Sequence, residues 1–301
     1  RRPPRSTLFP LHDALPISLT VGGDRETAAD AFRQVAAARA RIRSNPERWV
    51  PLLTADDVDA AHHTGRMAVG LHFQGTRCLD RDTGLLEPFF ALGVRHALIA
   101  FNNANSAGGG CAEPDGGLTR FGRRLVQEME RVGMLVDLSH TGHRTAQDVL
   151  DMATRPVLIS HSNADAVAPH WRNVPDGLIR ACAATGGLVG LSGSSGYLGD
   201  PAAGSDALFR HLDHMVQVAG IDHVGLGLDL VFDAPALNDW LRLRPDEWPE
   251  VSRPDWPGFA YVRPPQLVEL VALMLAAGYS RDDIGQVLGG NYLRITRHVW
   301  G

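Results

Sequence analysis

The sequence predicts an α/β fold, a (β/α)8 barrel lacking its first two strands, on three observations. Six apolar, strand-like runs alternate with helical patterns, which argues for a parallel sheet covered by helices. The runs are nearly continuous in apolar residues, as strands buried on both faces require. Four polar residues, Gln74, His140, His161 and Asp229, sit at or just beyond the C-terminal ends of runs. In a barrel those ends converge on one face, where catalytic groups collect. No Gly-x-Gly-x-x-Gly follows the first run, which speaks against a dinucleotide fold.

In chain order, Arg1–Ser18 stands apart. It has no clear period, and Leu11-His-Asp-Ala-Leu-Pro-Ile-Ser18 resembles a translated sequencing adaptor. Residues 1–18 are therefore expected to be a non-native tail, and 19–301 the barrel. Ala28, Ala31, Val35, Ala38 and Ile42 follow the spacing of a helix over Thr27–Ile42. Thr54 can cap a second helix over Asp56–His62. The strand-like runs are Met67–Phe73, His96–Asn102, Met134–His140, Pro156–Ser162, Leu188–Ser194 and His223–Asp229. Helical patterns fill Thr83–Ala91, Arg120–Val132, Arg144–Met152, Pro175–Ala184 and Asp206–Val218. The runs start about 31 residues apart, so two further units would need about 62 residues before Met67. Leu19–Arg66 offers 48, most with helical character, hence the expected loss of two strands and an inactive and poorly soluble chain. Leu230–Pro265 is a long Pro-rich loop with three tryptophans, the pattern of a lid. Helices are expected at Gln266–Ala277, Asp282–Leu288 and Tyr292–Val299.

Composition narrows the function. Hydrophobic residues make up 44% and charged residues 21%, enough for a folded core. A net charge of −5 disfavours a general nucleic-acid binder. No apolar run approaches the roughly 18 residues of a membrane span. Cys78, Cys111 and Cys182 form neither a disulfide framework nor a Cys-x-x-Cys pair, which favours a reducing compartment, the cytoplasm.

His140 and His161 end neighbouring runs, 21 residues apart, so their neutral imidazoles can share a metal ion. Asp229 ends Gly225-Leu-Gly-Leu-Asp229, where the glycines leave room and the carboxylate can ligate a metal or accept a proton; the alternative is a helix cap. Gln74 alone reads as a structural hydrogen-bonder, and His72 as a packed core histidine. Arg172, in the loop after His161, can fork onto a substrate carboxylate or make a surface ion pair. Gly108-Gly-Gly110 lacks the Lys-Ser/Thr of a phosphate loop. His62, His63, His211 and His214 lie on helical segments and read as surface residues.

Seven segments together carry a family resemblance. They are Leu92-Gly-Val-Arg95, Gly117-Leu-Thr-Arg-Phe-Gly122, Arg131-Val-Gly-Met-Leu-Val-Asp-Leu-Ser-His140, Ile159-Ser-His-Ser-Asn-Ala164, Trp171-Arg-Asn-Val-Pro175, Ala219-Gly-Ile-Asp-His-Val-Gly-Leu-Gly-Leu-Asp229 and Leu288-Gly-Gly-Asn291. In this order they resemble the membrane (renal) dipeptidase family of zinc peptidases, across Arg25 to Trp300. The resemblance implies a (β/α)8 barrel that cleaves dipeptides with a metal-bound hydroxide on one or two zinc ions. It makes His140 and His161 ligands of the second zinc, Arg172 the reader of the substrate carboxylate and Asp229 the proton shuttle. Gln74 falls where the family has a bridging metal-ligand glutamate, in which the chain resembles a bacterial subgroup with Gln there, and Phe101 where the family has a substrate-side histidine. The family's His-x-Asp, which binds the first zinc, has only a superficial echo in His12-Asp13. The expected partner is a small dipeptide, with a second copy of the chain as a candidate for a homodimer. Other readings are an inactive barrel homologue, or an amidohydrolase acting on a small amide or lactone.

Overall fold

The computed structural model describes residues 17–231 and 233–300. Its strands are β1 (Ile17–Gly23), β2 (Trp49–Pro51), β3 (Met67–Gln74), β4 (Val94–Leu98), β5 (Leu135–Asp137), β6 (Leu158–Ile159), β7 (Leu188–Leu191) and β8 (Val224–Leu226). All their pairings are parallel, along the path β1-β3-β4-β5-β6-β7-β8, with β2 paired to the start of β3. The helices are α1 (Ala28–Arg43), α2 (Ala55–His63), α3 (Leu86–Ala91), α4 (Arg120–Val132), α5 (His143–Leu150), α6 (Asp176–Ala184), α7 (Ser195–Leu198), α8 (Ser205–Ala219), α9 (Ala234–Arg242), α10 (Gln266–Ala276), α11 (Arg281–Gly285) and α12 (Asn291–Trp300). The result is a partial (β/α)8 barrel, and all six strand-like runs overlap a strand of it.

Leu19–Arg66 contains α1 and α2, as its periodicity predicts, and also most of β1 and all of β2. Dividing the chain after Ser18 cuts through the alternation Ile17-Ser-Leu-Thr-Val21, which reads as a strand only when taken whole. Ser18 and Thr20 hydrogen-bond His72 on β3, while Ile17 and Leu19 remain more than a third exposed. Arg1–Pro16, with His12 and Asp13, lie outside the described residues.

Local rules place the helices. On α4, Phe121, Leu125, Val126 and Met129 are buried at helical spacing. Thr119 caps its start by accepting from Gly122 N at 3.0 Å, and Gly133, at φ 85°, ends it in the left-handed region that glycine tolerates. Losing that cap would cost about 1 kcal/mol. At the barrel floor, Tyr292, Ile295, Val299 and Trp300 of α12 pack on Leu135, Leu158 and Leu188, at or near the starts of β5, β6 and β7.

β5 and β6 are shorter than their apolar runs. The Asp137 carboxylate takes the backbone N–H groups of Ser139 and Ser160, both at 3.0 Å, which a longer ladder would use. His140 then turns left-handed, at φ 62°. The strands therefore stop just before the residues that face the barrel mouth.

Candidate active site

Parallel topology brings the C-terminal ends of β3 to β8 to one rim. There the His140 and His161 Nε2 atoms approach to 3.0 Å. The His140 Nδ1 is held by Asn102 Oδ1 at 2.6 Å, and the His161 Nδ1 by Ser160 Oγ at 2.7 Å. Each ring is thus fixed from behind with its Nε2 turned towards the other, an arrangement typical of metal-ligating histidines. Burial holds the His140 imidazole well below its usual pKa, and the charge of Arg172 and the neighbouring His161 push the same way. His161 is lowered too, again mainly by burial, while Asp229 pulls it upward. Both rings are therefore neutral near pH 7, the form that binds metals.

Arg172 is buried, which excludes the surface ion pair. One Nη donates to Ser162 Oγ and the other to the His161 carbonyl at 2.7 Å; its Nε has no protein partner. Asp229 is exposed on the loop after β8 and has φ 53°. Gln74 ends β3 at the same rim, half-buried. Asn102, behind His140, is left-handed as well, at φ 58°.

The glycines before Asp229 do not leave room. A Cβ on Gly227 would lie 1.8 Å from the Ser160 carbonyl oxygen, so backbone already fills that space. Phe101 stacks on His140, with ring centroids 4.2 Å apart. The stretch expected as one long loop contains α9 and a short 3-10 turn at Pro249–Ser252. Its Trp248, Trp256 and Phe259 form a separate apolar cluster with Tyr197 and Leu241, and Phe101 and Trp171 pack against it. Trp248 meets Phe101 edge-on at 5.6 Å, and Asn102 Nδ2 donates to the Glu247 carbonyl at 2.9 Å. The segment roofs the histidine pair, as a lid would.

Three residues that sequence reasoning missed support the site. Asp24 follows β1 and accepts from Arg77 N, Phe101 N and Asn105 Nδ2, so it ties together the loops after β3 and β4. Burial raises its pKa against those hydrogen bonds. Asn102 orients His140. Asp137 lies fully buried under the pair, 3.2 Å from His96 Nδ1. Burial alone would raise its carboxyl, but the hydrogen bonds it accepts, that of His96 first, outweigh this and hold it below its usual value. A charged residue inside an apolar run was the available signal for Asp137. His72 is buried and stacks on His96 at 4.6 Å. His211 is also buried rather than on the surface, because its helix α8 turns that face to the barrel.

Among the described residues no group of three or more His, Cys, Asp or Glu is arranged to hold a metal. The donor set that is present, two neutral imidazoles with buttressed Nδ1 atoms, suits one divalent ion with open coordination positions. No helix among the described residues is long and apolar enough to cross a membrane.

Comparison with known proteins agrees with the barrel fold. The membrane dipeptidase (peptidase family M19) model matches residues 14–244. An uncharacterized dipeptidase of Schizosaccharomyces pombe is 37% identical over 186 residues, covering 58% of this chain and 44% of its own length. An uncharacterized protein from the pqqA 5' region of Klebsiella pneumoniae is 30% identical, covering 89% of this chain and 96% of its own. A dipeptidase of Aspergillus oryzae is 32% identical, covering 92% of this chain and 63% of its own. The chain thus spans less than half of the first of these relatives and nearly all of the second. Among solved structures, an amidohydrolase from Pseudomonas aeruginosa superposes with a TM-score of 0.88 at 26% identity, over 97% of this chain and 91% of that one. A Rhodobacter sphaeroides metallopeptidase, liganded with a phosphinate mimic of the dipeptide L-Ala-D-Ala, shares the fold, with a TM-score of 0.76 at 24% identity over 96% of this chain and 81% of that one. On the family match and these relatives, the chain belongs to the membrane dipeptidase family of metallopeptidases, peptidase family M19.

Proposed function

We propose that the protein is a zinc-dependent dipeptidase, with His140 and His161 as metal ligands and Gln74 as a neutral third donor. The observation that carries this reading is the convergence of the two His Nε2 atoms, 3.0 Å apart, at the mouth of a family M19 barrel. A divalent ion held by these residues would supply an acidified water and polarisation of the scissile carbonyl. The chain's own residues do the rest. Asp229 at the rim accepts the proton released by the attacking water and returns it to the leaving amine. Arg172, with its free Nε beside the histidine strand end, binds the C-terminal carboxylate of the substrate. Phe101 and the tryptophan roof exclude bulk water from the histidine pair. The expected substrate is accordingly a small peptide with a free carboxylate.

The test is a dipeptide panel on chelator-stripped and zinc-reloaded protein, beside the His140→Ala/His161→Ala double variant. Zinc should restore cleavage to the wild type alone, in place of the inactivity expected from two missing strands, because β1 and β2 pair with β3; the variant should retain no stoichiometric zinc. Equal zinc content in the two proteins, or cleavage that survives both chelation and the double substitution, would refute the assignment.

A further inference from the structure

One oxygen stands behind both histidines. Asp137 Oδ1 accepts from Ser139 N and from Ser160 N, each at 3.0 Å. Ser139 immediately precedes His140, and Ser160 immediately precedes His161. The two serines reinforce the link: Ser139 Oγ accepts from His161 N at 2.9 Å and lies 3.2 Å from Ser160 Oγ. Only one residue pair, Asp137 with Leu158, registers β5 against β6. At this seam the carboxylate does the work of a ladder.

The other oxygen ends a chain of side chains that runs from the exposed start of β1 into the barrel interior. Thr20 Oγ1 lies 3.1 Å from His72 Nε2, and His72 Nδ1 lies 2.8 Å from Ser18 Oγ. Ser18 Oγ is 3.2 Å from His96 Nε2, and His96 Nδ1 is 3.2 Å from Asp137 Oδ2. Asp137 can only accept, so one arrangement of neutral rings satisfies every contact. The Thr20 hydroxyl donates to His72, His72 Nδ1–H to Ser18, the Ser18 hydroxyl to His96, and His96 Nδ1–H to Asp137. All four bonds run towards the carboxylate, and such directional chains strengthen one another.

We propose that Asp137 is a positioning residue: its oxygen fixes the backbone of Ser139 and Ser160 and so sets the spacing of His140 and His161 for a shared divalent ion. This rests on the metal-site reading above. Asp137→Asn is the conservative variant. Its amide oxygen still accepts both backbone N–H groups, and its NH2 can donate to His96 if the whole chain reverses. His72 and His96 then both carry their proton on Nε2.

The experiment titrates Zn2+ into chelator-stripped wild type, Asp137→Ala and Asp137→Asn, and records imidazole 15N NMR spectra of the metal-free proteins. Removing an outer partner of metal ligands weakens metal binding about 10–100-fold, which is expected for Asp137→Ala. Asp137→Asn should bind as wild type, because its amide oxygen keeps both backbone bonds; the inverted tautomer of both interior histidines shows that its NH2, and not that oxygen, faces His96. If Asp137→Ala does not fold, Asp137→Asn decides: with the inverted tautomers in place, a zinc affinity about 10-fold or more below wild type overturns the positioning role. A wild type that binds no zinc overturns the metal-site reading. A zinc-binding wild type matched by Asp137→Ala overturns the positioning role alone.

Discussion

Acid should loosen this fold through His211. Its Nδ1 accepts from Ala164 N at 3.1 Å and its Nε2 donates to the Leu198 carbonyl at 3.3 Å, so the ring must be neutral with its proton on Nε2. Burial drives its pKa down to about 4, against the Leu198 hydrogen bond, which pulls upward. Between pH 6.5 and 4 the unfolded chain therefore binds a proton that the folded chain refuses. Stability falls as the pH drops through that window and is level on either side of it. The gap from 6.5 to about 4 corresponds to about 3 kcal/mol, or about 1 kcal/mol per pH unit. His211→Gln isolates this group, because the Gln oxygen can accept from Ala164 N and its NH2 can donate to Leu198. Urea unfolding of both proteins from pH 8 to pH 4 is the assay. The difference between wild type and variant should be constant above pH 6.5 and shift by about 3 kcal/mol towards the variant by pH 4. Parallel curves throughout would refute the argument, since the other buried histidines cancel in the difference. Ala164 lies three residues beyond His161, so the same protonation frees the loop that carries the site.

Other consequences follow from single contacts. Gly227→Ala would place a methyl 1.8 Å from the Ser160 oxygen; a loss of about 3 kcal/mol in urea unfolding is expected, and an unchanged midpoint would refute it. Asp229→Asn should lower turnover by about 100-fold or more with melting temperature and zinc content held, whereas a variant that unfolds would mark Asp229 as a structural cap. Arg172→Met should weaken dipeptide binding by about 2–5 kcal/mol. If the wild type cleaves C-terminally amidated and free dipeptides equally well, the carboxylate role of Arg172 is wrong.

The barrel was legible because both-faces-buried strands and capped amphipathic helices leave strong local patterns, as at Met67–Phe73 and Arg120–Val132. His140 and His161 were legible because strand ends are where such a fold exposes chemistry. What stayed hidden was long-range. β1 turns Ser18 and Thr20 towards His72 and still leaves all four residues from Ile17 to Thr20 exposed, the reverse of the usual reading. Asp137 looks like a stray charge until Ser160, 23 positions later, arrives beside it. Nothing local tells that Gly227 makes room for another strand's backbone rather than for a ligand. The burial of His211 depends on which face α8 turns inward, and polar neighbours such as Arg210 and Asp213 obscure that in the sequence.

The left-handed backbones of Asn102, His140 and Asp229 bear on how this chain can change over time. A side chain held there costs on the order of 1 kcal/mol or more, which glycine would avoid. At Asp229, exposed on its loop, glycine would remove that cost outright, while Asn102 and His140 offset part of it through the bond they make to each other. In a descendant freed from the demands of the rim, position 229 should therefore drift first, and the fold would outlast its chemistry.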